Sequence, residues 1–249
     1  MGDHLKIILL ILFQIGVMIF IATKGVIAQD PTYHQFADAR NFFGLPNFWN
    51  VLSNIPFFFV GIMGLVAISK NPKGAAWSWI TVYLGTAFVC IGSSYYHLEP
   101  NNQTLVWDRL PMTIGFMGLF SAVISEFIDE KIEKYSLIPF LILGALSVYY
   151  WKVSGDLRPY VFIQASPLVS ILFMFVLFKS KYTPSWHLIL ALVFYALAKA
   201  VEYYDHDIYD FTAGIMSGHA IKHVLAAMGL YFTISMIRQR RVRSLFKLN

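Results

Sequence analysis

Apolar residues follow one another along this chain in eight long runs, separated by short polar connections. The runs cover residues 5–28, 49–68, 75–96, 110–128, 137–151, 160–178, 186–201 and 218–237. A helix needs roughly 17 to 25 apolar residues to cross a bilayer, so the fifth and seventh runs reach that length only with their flanking residues. The pattern predicts an all-α integral membrane protein, with a bundle of seven transmembrane helices and one extra hydrophobic helix at the N-terminus.

The composition agrees with this class. Hydrophobic residues make up 57% and charged residues 13% of the 249 residues, and the mean hydropathy is +0.60. The formal net charge of +5 does not indicate nucleic-acid binding, because much of it lies in a tail that follows the last apolar run. The cationic residues of the tail are Arg238, Arg240, Arg241, Arg243 and Lys247. Such a tail is typical of a cytoplasmic anchor beside acidic lipids.

The runs and the tail divide the chain into four parts. Residues 1–28 are a transmembrane helix or signal anchor, 29–46 an external connection, 47–237 a seven-helix domain, and 238–249 the basic cytoplasmic tail. Lys6 at the start of the first run, with Val26 and Ala28 in small-residue cleavage positions at its end, also fits a cleaved signal peptide. The length of the run favours a retained helix.

Lysine and arginine are distributed unequally between alternate connections. One set of segments holds Lys6, Lys70, Lys73, Lys131, Lys134, Lys179, Lys181 and the five tail residues, and the other set holds Arg40, Arg109, Lys152 and Arg158. Positive residues concentrate on the cytoplasmic side, so the C-terminus is expected inside. This orientation places His97, Asp108 and His219 at the external ends of their helices, at one depth.

Three histidines in the predicted spans have the spacing of a metal site. His219 and His223 are four apart and therefore share one helix face, as do Ser93 and His97 on the third span. Ionisable groups at membrane depth are expensive and indicate function. Three imidazoles leave the fourth position of a tetrahedral Zn²⁺ open to water, which is the arrangement of a catalytic site.

Asp108 and Ser93 have the chemistry to act beside such a metal. Zinc lowers the pKa of a bound water to about 7 and polarises a carbonyl oxygen. A carboxylate such as Asp108 can move protons, and a hydroxyl such as Ser93 can donate to an oxyanion. The alternative interpretation of His219 and His223 is a polar stripe between helices, and a third histidine in register favours the metal site.

Other polar residues are expected to be structural. Lys199 and Glu202, three apart, are expected to pair; Lys222 either extends to the surface or pairs with Glu202 or Asp205. Four further histidines are expected to be solvated: His4, His34, His187 and His206. Gly85 and Gly92 allow the third span to approach a neighbour closely.

Four motifs resemble the signatures of the alkaline ceramidase family. They are NFWNVLSN at 47–54, GSSYYH at 92–97, DRLPM at 108–112 and GHAIKH at 218–223. That family belongs to a superfamily of seven-helix membrane hydrolases that includes the adiponectin receptors and the Per1-like proteins. The resemblance extends over about residues 47–237. It implies that His97, His219 and His223 bind zinc and that Ser93 and Asp108 act in amide hydrolysis.

The chain departs from the family before its first core helix. Animal alkaline ceramidases carry an acidic, tryptophan-containing calcium site there, whereas residues 33–40 here read YHQFADAR. Asp38, Asn41 and Asn47 could form a reduced polar site, but Ca²⁺ prefers several carboxylate or carbonyl oxygens. We therefore favour a capped helix entry at Asn47 over a calcium site.

The sequence thus predicts a zinc-dependent hydrolase that cleaves the N-acyl bond of ceramide-like membrane lipids to a fatty acid and a sphingoid base. Three alternatives stay open: hydrolysis of another lipid amide or ester, a haem protein with histidine axial ligands, and a receptor or transporter that senses or relays protons. The expected location is a bacterial inner membrane or an endoplasmic reticulum or Golgi membrane. The expected partner is a ceramide-like membrane lipid, with no nucleic acid, and the sequence does not identify protein partners.

Overall fold

The computed structural model describes residues 2–243, and its helices follow the predicted apolar runs. They are α1 (Asp3–Ala22), α2 (Phe48–Leu52), α3 (Ile55–Lys70), α4 (Ala76–Leu98), α5 (Leu105–Phe127), α6 (Ile132–Ser154), α7 (Arg158–Leu177), α8 (His187–Tyr203), α9 (Asp205–Phe211) and α10 (Gly218–Arg238). A 3₁₀ turn covers Pro31–His34, and the strands β1 (Tyr182–Thr183) and β2 (Arg241–Val242) pair antiparallel. The all-α prediction is confirmed.

The number of possible spans also agrees with the prediction. Seven helical segments of the described chain are long and apolar enough to cross a membrane, with α2 and α3 together forming Phe48–Lys70. The eighth possible span is the pair α8 and α9, which is bent by 78°. The fifth apolar run becomes a full span because α6 takes in its flanking residues and reaches 23 residues. The seventh run does not become a straight span, since α8 alone has 17 residues.

The break between α8 and α9 lies at Tyr204. Tyr204 leaves the helical region, with φ −95° and ψ 32°. The next residue, Asp205, is buried, and its carboxylate accepts the backbone N–H of His219 at 2.6 Å. The bend therefore places a carboxylate against the first turn of α10.

Glycines bring α4 and α5 together, as expected. A Cβ on Gly92 would lie 2.0 Å from the carbonyl oxygen of Trp107, and one on Gly85 would lie 2.6 Å from the backbone nitrogen of Gly115. Both contacts are shorter than any side chain tolerates. Because Gly92 precedes Ser93, this close approach holds Ser93 against the start of α5.

The N-terminal helix packs on α7. The Gln14 amide donates to the Ser170 hydroxyl at 2.8 Å. Beyond α1, the chain turns across the end of the bundle, where the Leu157 N–H donates to the Ile27 carbonyl at 2.8 Å. We call this end, which carries the last turn of α4 and the first turns of α5 and α10, the site end.

The opposite end corrects the expectation for the basic tail. Arg240 is not a lipid-facing residue: its side chain is 1% exposed and pairs with Glu126 at 2.7 Å. The indole N–H of Trp79 donates to the same carboxylate at 2.6 Å. Arg240 therefore joins the tail to α4 and α5. Lys247 and Asn249 lie outside the described residues.

Candidate metal centre and active site

Three buried histidines meet at the site end. His97 lies in the last turn of α4, and His219 and His223 lie in the first two turns of α10. One nitrogen from each ring can be chosen so that all three lie within 4.8 Å of one another. His97 is 1%, His219 is 4% and His223 is 5% exposed. The spacing of four within α10 thus puts both imidazoles beside the one from α4.

Each histidine of α10 is held by a second group. Ser53 Oγ lies 2.8 Å from His223 Nδ1 and 3.2 Å from the Asn50 carbonyl oxygen. When the hydroxyl donates to that carbonyl, it accepts the Nδ1–H of His223, which leaves the Nε2 lone pair of His223 free. His219 is held through its backbone by Asp205. The hydrogen bond from Ser53 is the kind of outer contact that orients metal-bound histidine.

The separation of the imidazoles fits a tetrahedral zinc. Nε2 of His97 and Nε2 of His219 are 3.3 Å apart. Two nitrogens bound to one tetrahedral Zn²⁺ at 2.0–2.1 Å would be about 3.4 Å apart. A distance of 3.3 Å is long for a direct N–H···N hydrogen bond. The donor set and this distance therefore suit a shared metal ion, and imidazole is a usual ligand of zinc, copper, iron and nickel.

Ser93 and Asp108 line one cavity together with His223. Ser93 is 2% and Asp108 is 8% exposed. Both line a cavity of ≈ 440 Å³ that also contains His223. Its remaining walls are mostly apolar and come from α3, α4, α5, α7, α8 and α10. The cavity extends from His223 to Thr233, which corresponds to about 15 Å along α10. This length suits an alkyl or acyl chain.

An ionic cluster forms the polar end of the cavity. Glu202 pairs with Lys199, as predicted, and also with Lys222, which confirms one of the two expectations for Lys222. The Tyr33 hydroxyl lies 3.5 Å from Glu202 Oε1. Burial, followed by the charge of Glu202, raises the pKa of the Tyr33 phenol well above its usual value, so this group stays a neutral donor.

Asp205 does not pair with Lys222. Its two carboxylate oxygens accept backbone N–H groups instead, from His219 at 2.6 Å and from Ala37 at 3.0 Å. The residue therefore joins α10 to the segment before α2. It holds the backbone at His219, and Lys222 pairs with Glu202 instead.

The residues considered for calcium have separate partners. Asp38 is 1% exposed and pairs with Arg40 at 2.6 Å, which neutralises its carboxylate. Asn41 is exposed. Asn47 precedes α2, but its side chain makes no capping hydrogen bond and donates to the carbonyl of His97 at 2.9 Å. The capping role predicted for the Asn47 side chain is therefore wrong, because the amide instead closes the end of α4.

Two of the histidines expected to be solvated are not. His187 is 4% exposed and stacks on Trp186, with 4.0 Å between ring centroids. His34 is half-buried, with Nδ1 2.9 Å from the Tyr96 hydroxyl and Nε2 2.9 Å from Asn102 Oδ1. His34 thus connects the N-terminal segment to the last turn of α4.

Sequence reasoning missed Phe36 and the positioning role of Asp205. The Phe36 ring centroid lies 4.7 Å from that of His97 and 4.4 Å from that of His219. Phe36 is buried and covers the histidines from the N-terminal segment. No spacing rule indicates this contact, since one phenylalanine among 22 carries no distinguishing signal.

Comparison with known proteins identifies the family of the chain. A search of curated proteins found no match. The chain does match the ceramidase family over residues 45–247, a region that contains the five residues Ser93, His97, Asp108, His219 and His223. Because this match covers more than half of the chain, the protein belongs to the ceramidase family.

Proposed function

We propose that the protein is a zinc-dependent hydrolase of the membrane that cleaves the N-acyl bond of ceramide-like sphingolipids to a fatty acid and a sphingoid base. The observation that carries this proposal is a cluster of three buried histidines, one of which, His223, lines a long and mostly apolar cavity together with Ser93 and Asp108. Membership of the ceramidase family supports the substrate class.

His97, His219 and His223 would hold the metal. When bound, zinc would activate a water and polarise the acyl carbonyl. Ser53 fixes the ring of His223, and Asp205 fixes the backbone at His219. The low exposure of all three rings limits competing water.

Asp108 would transfer the protons. The attacking water forms a bond from its oxygen to the acyl carbon and gives a proton to the Asp108 carboxylate. As the carbon–nitrogen bond breaks, Asp108 returns that proton to the leaving nitrogen. Glu202 is less suited to this role, because two lysines already neutralise it.

Ser93 would support the developing negative charge. Its hydroxyl can donate a hydrogen bond to the acyl oxygen as that oxygen becomes negative. The lipid chains would occupy the apolar part of the cavity, since burial of CH₂ groups is worth about 0.8 kcal/mol each.

The proposal is tested with purified protein in neutral detergent. Ceramide, an N-acylethanolamine and a diacylglycerol of matched acyl chain are supplied separately, and released fatty acid is measured by mass spectrometry. We expect the fastest release from ceramide and loss of that activity on metal chelation, restored by Zn²⁺. Faster release of fatty acid from the ethanolamide or the ester would show that this lipid, and not ceramide, is the preferred substrate. Equal turnover in metal-free protein would refute the zinc requirement.

We also propose that the C-terminus is cytoplasmic and that the site end faces the external or luminal side, in a bacterial inner membrane or in the endoplasmic reticulum or Golgi. The unequal distribution of Lys and Arg supports this orientation. In a bacterial inner membrane, an epitope added after Asn249 is expected to be protected from protease in intact spheroplasts and cut after permeabilisation. In the endoplasmic reticulum or Golgi, it is expected to be cut on sealed vesicles whose cytoplasmic face is outward. An epitope that is cut in intact spheroplasts, or protected on such sealed vesicles, would reverse the orientation.

A further inference from the structure

Arg109 is a buried cation that has no anionic partner in residues 2–243, the part of the chain that the structure describes. Its exposed fraction is 6%, and it lines the same cavity as Ser93 and Asp108. Among the described residues it forms no ion pair, not even with its neighbour Asp108. Arg240, the other buried arginine of the described chain, does have a carboxylate partner in Glu126. A buried charge is expensive unless it is paired, so the isolation of Arg109 needs an explanation.

The surroundings of Arg109 fix the plane of its guanidinium. The central carbon lies 3.9 Å from the ring centroid of Trp151 and 4.8 Å from that of Tyr160. One terminal nitrogen, Nη2, donates to the side-chain oxygen of Gln29. The other, Nη1, is buried and has no acceptor within the part of the chain that the structure describes. The aromatic rings satisfy the faces of the guanidinium, and its Nη1 edge is left without an acceptor.

We propose that Arg109, held by Gln29, Trp151 and Tyr160, is a subsite that binds an oxyanion carried by a lipid in the cavity. A planar guanidinium with a free edge is the preferred protein group for carboxylate and phosphate oxygens. The oxyanion has two possible sources: the carboxylate of a released fatty acid, or the phosphate of an acidic headgroup. One part of this inference, that the ligand is a lipid, rests on the proposed function.

Two matched pairs of ligands separate these sources without any hydrolysis. Palmitic acid is compared with palmityl alcohol, and sphingosine 1-phosphate with sphingosine, by titration in neutral detergent followed by native mass spectrometry. The pH is alkaline, so that the carboxylic acid is ionised. Because hydrogen bonds to charged groups are strong, we expect wild-type protein to bind the acidic member of at least one pair roughly 10- to 100-fold more tightly than the neutral member. Arg109→Gln is expected to bind both members of that pair alike.

A preference in the first pair alone assigns the subsite to the released acid, and one in the second pair alone assigns it to the headgroup. The matched control is Arg158→Gln, because Arg158 lies near the same end of the bundle but pairs with Asp156 at 2.7 Å and is not part of the cavity. This control is expected to keep the wild-type preference. If Arg109→Gln does not fold, Arg109→Lys replaces it and should retain only part of the preference.

The subsite is refuted if wild-type protein prefers neither acidic ligand, since no oxyanion then binds. It is equally refuted if an Arg109 variant keeps the full wild-type preference. Ceramide hydrolysis is measured on the same preparations. A preference that depends on Arg109 in a protein that does not hydrolyse ceramide refutes only the proposed function, whereas hydrolysis without the preference refutes only the subsite.

Discussion

Replacement of His219 by alanine is expected to remove the bound zinc and, with it, the hydrolysis of ceramide. The wild-type protein should contain about one zinc per chain. Loss of an outer partner of a metal-bound histidine costs roughly 10- to 100-fold in metal affinity, and loss of the ligand itself should cost more. Elemental analysis and fatty-acid release, measured on the same preparation, check both effects.

Two further variants make this result specific. Ser53→Ala removes the hydrogen bond to His223 Nδ1 and should weaken zinc binding by the smaller factor of roughly 10 to 100. His206→Ala removes an exposed histidine and should leave both zinc and activity unchanged. Zinc at background level in folded wild-type protein would end the metal hypothesis, and full zinc occupancy in His219→Ala would remove His219 from the ligand set.

The fold was predictable because bilayer thickness sets the length of each helix. Apolar runs and short connections are sufficient to place the spans, even α6, whose polar flanks complete its length. The bend after α8 was not predictable in this way. It depends on Asp205 accepting an N–H from His219, and this contact joins positions 14 residues apart through a connection without regular spacing.

The same distinction applies to the site. Spacings of four along a helix predict which side chains share a face, and this rule brings His219 and His223 together. It cannot predict what covers them, because Phe36 reaches the site from a different segment with no periodic pattern. Arg240 is a similar case, since its partner Glu126 lies 114 residues earlier in the chain and the basic tail alone suggests a surface position.

The segment before α2 also changes the interpretation of the site. Residues 2–44 lie outside the match to the ceramidase family, yet they supply Phe36 over the histidines and Tyr33 and Gln29 at the cavity. The pairing of Leu157 with Ile27 fixes this segment to the start of α7. Features of the ligand that the family motifs do not determine are therefore expected to depend on this segment.

Asp108→Asn is expected to retain zinc and to hydrolyse ceramide about 10² to 10⁴ times more slowly than the wild type. Asparagine keeps the shape and the hydrogen-bonding capacity of the side chain but cannot take a proton, and loss of general acid–base catalysis typically costs this factor. Because Asp108 is not one of the three metal ligands, zinc content separates the catalytic effect from loss of the metal centre. Turnover of saturating ceramide and elemental analysis check the two quantities.

Ser93→Ala gives the complementary test of the same mechanism. Removal of one donor to a developing oxyanion typically costs about 10² to 10³ in rate, so this variant should also be slow while it keeps zinc. Ser94→Ala is the matched control, since the adjacent Ser94 hydroxyl donates to the Val51 carbonyl at 3.3 Å and is not part of the cavity. Wild-type turnover in Asp108→Asn would show that another group transfers the protons. Glu202→Gln would then be the next variant to measure. Wild-type turnover in both Asp108→Asn and Ser93→Ala would refute the mechanism, because neither the proton transfer nor the oxyanion contact would then contribute to the rate.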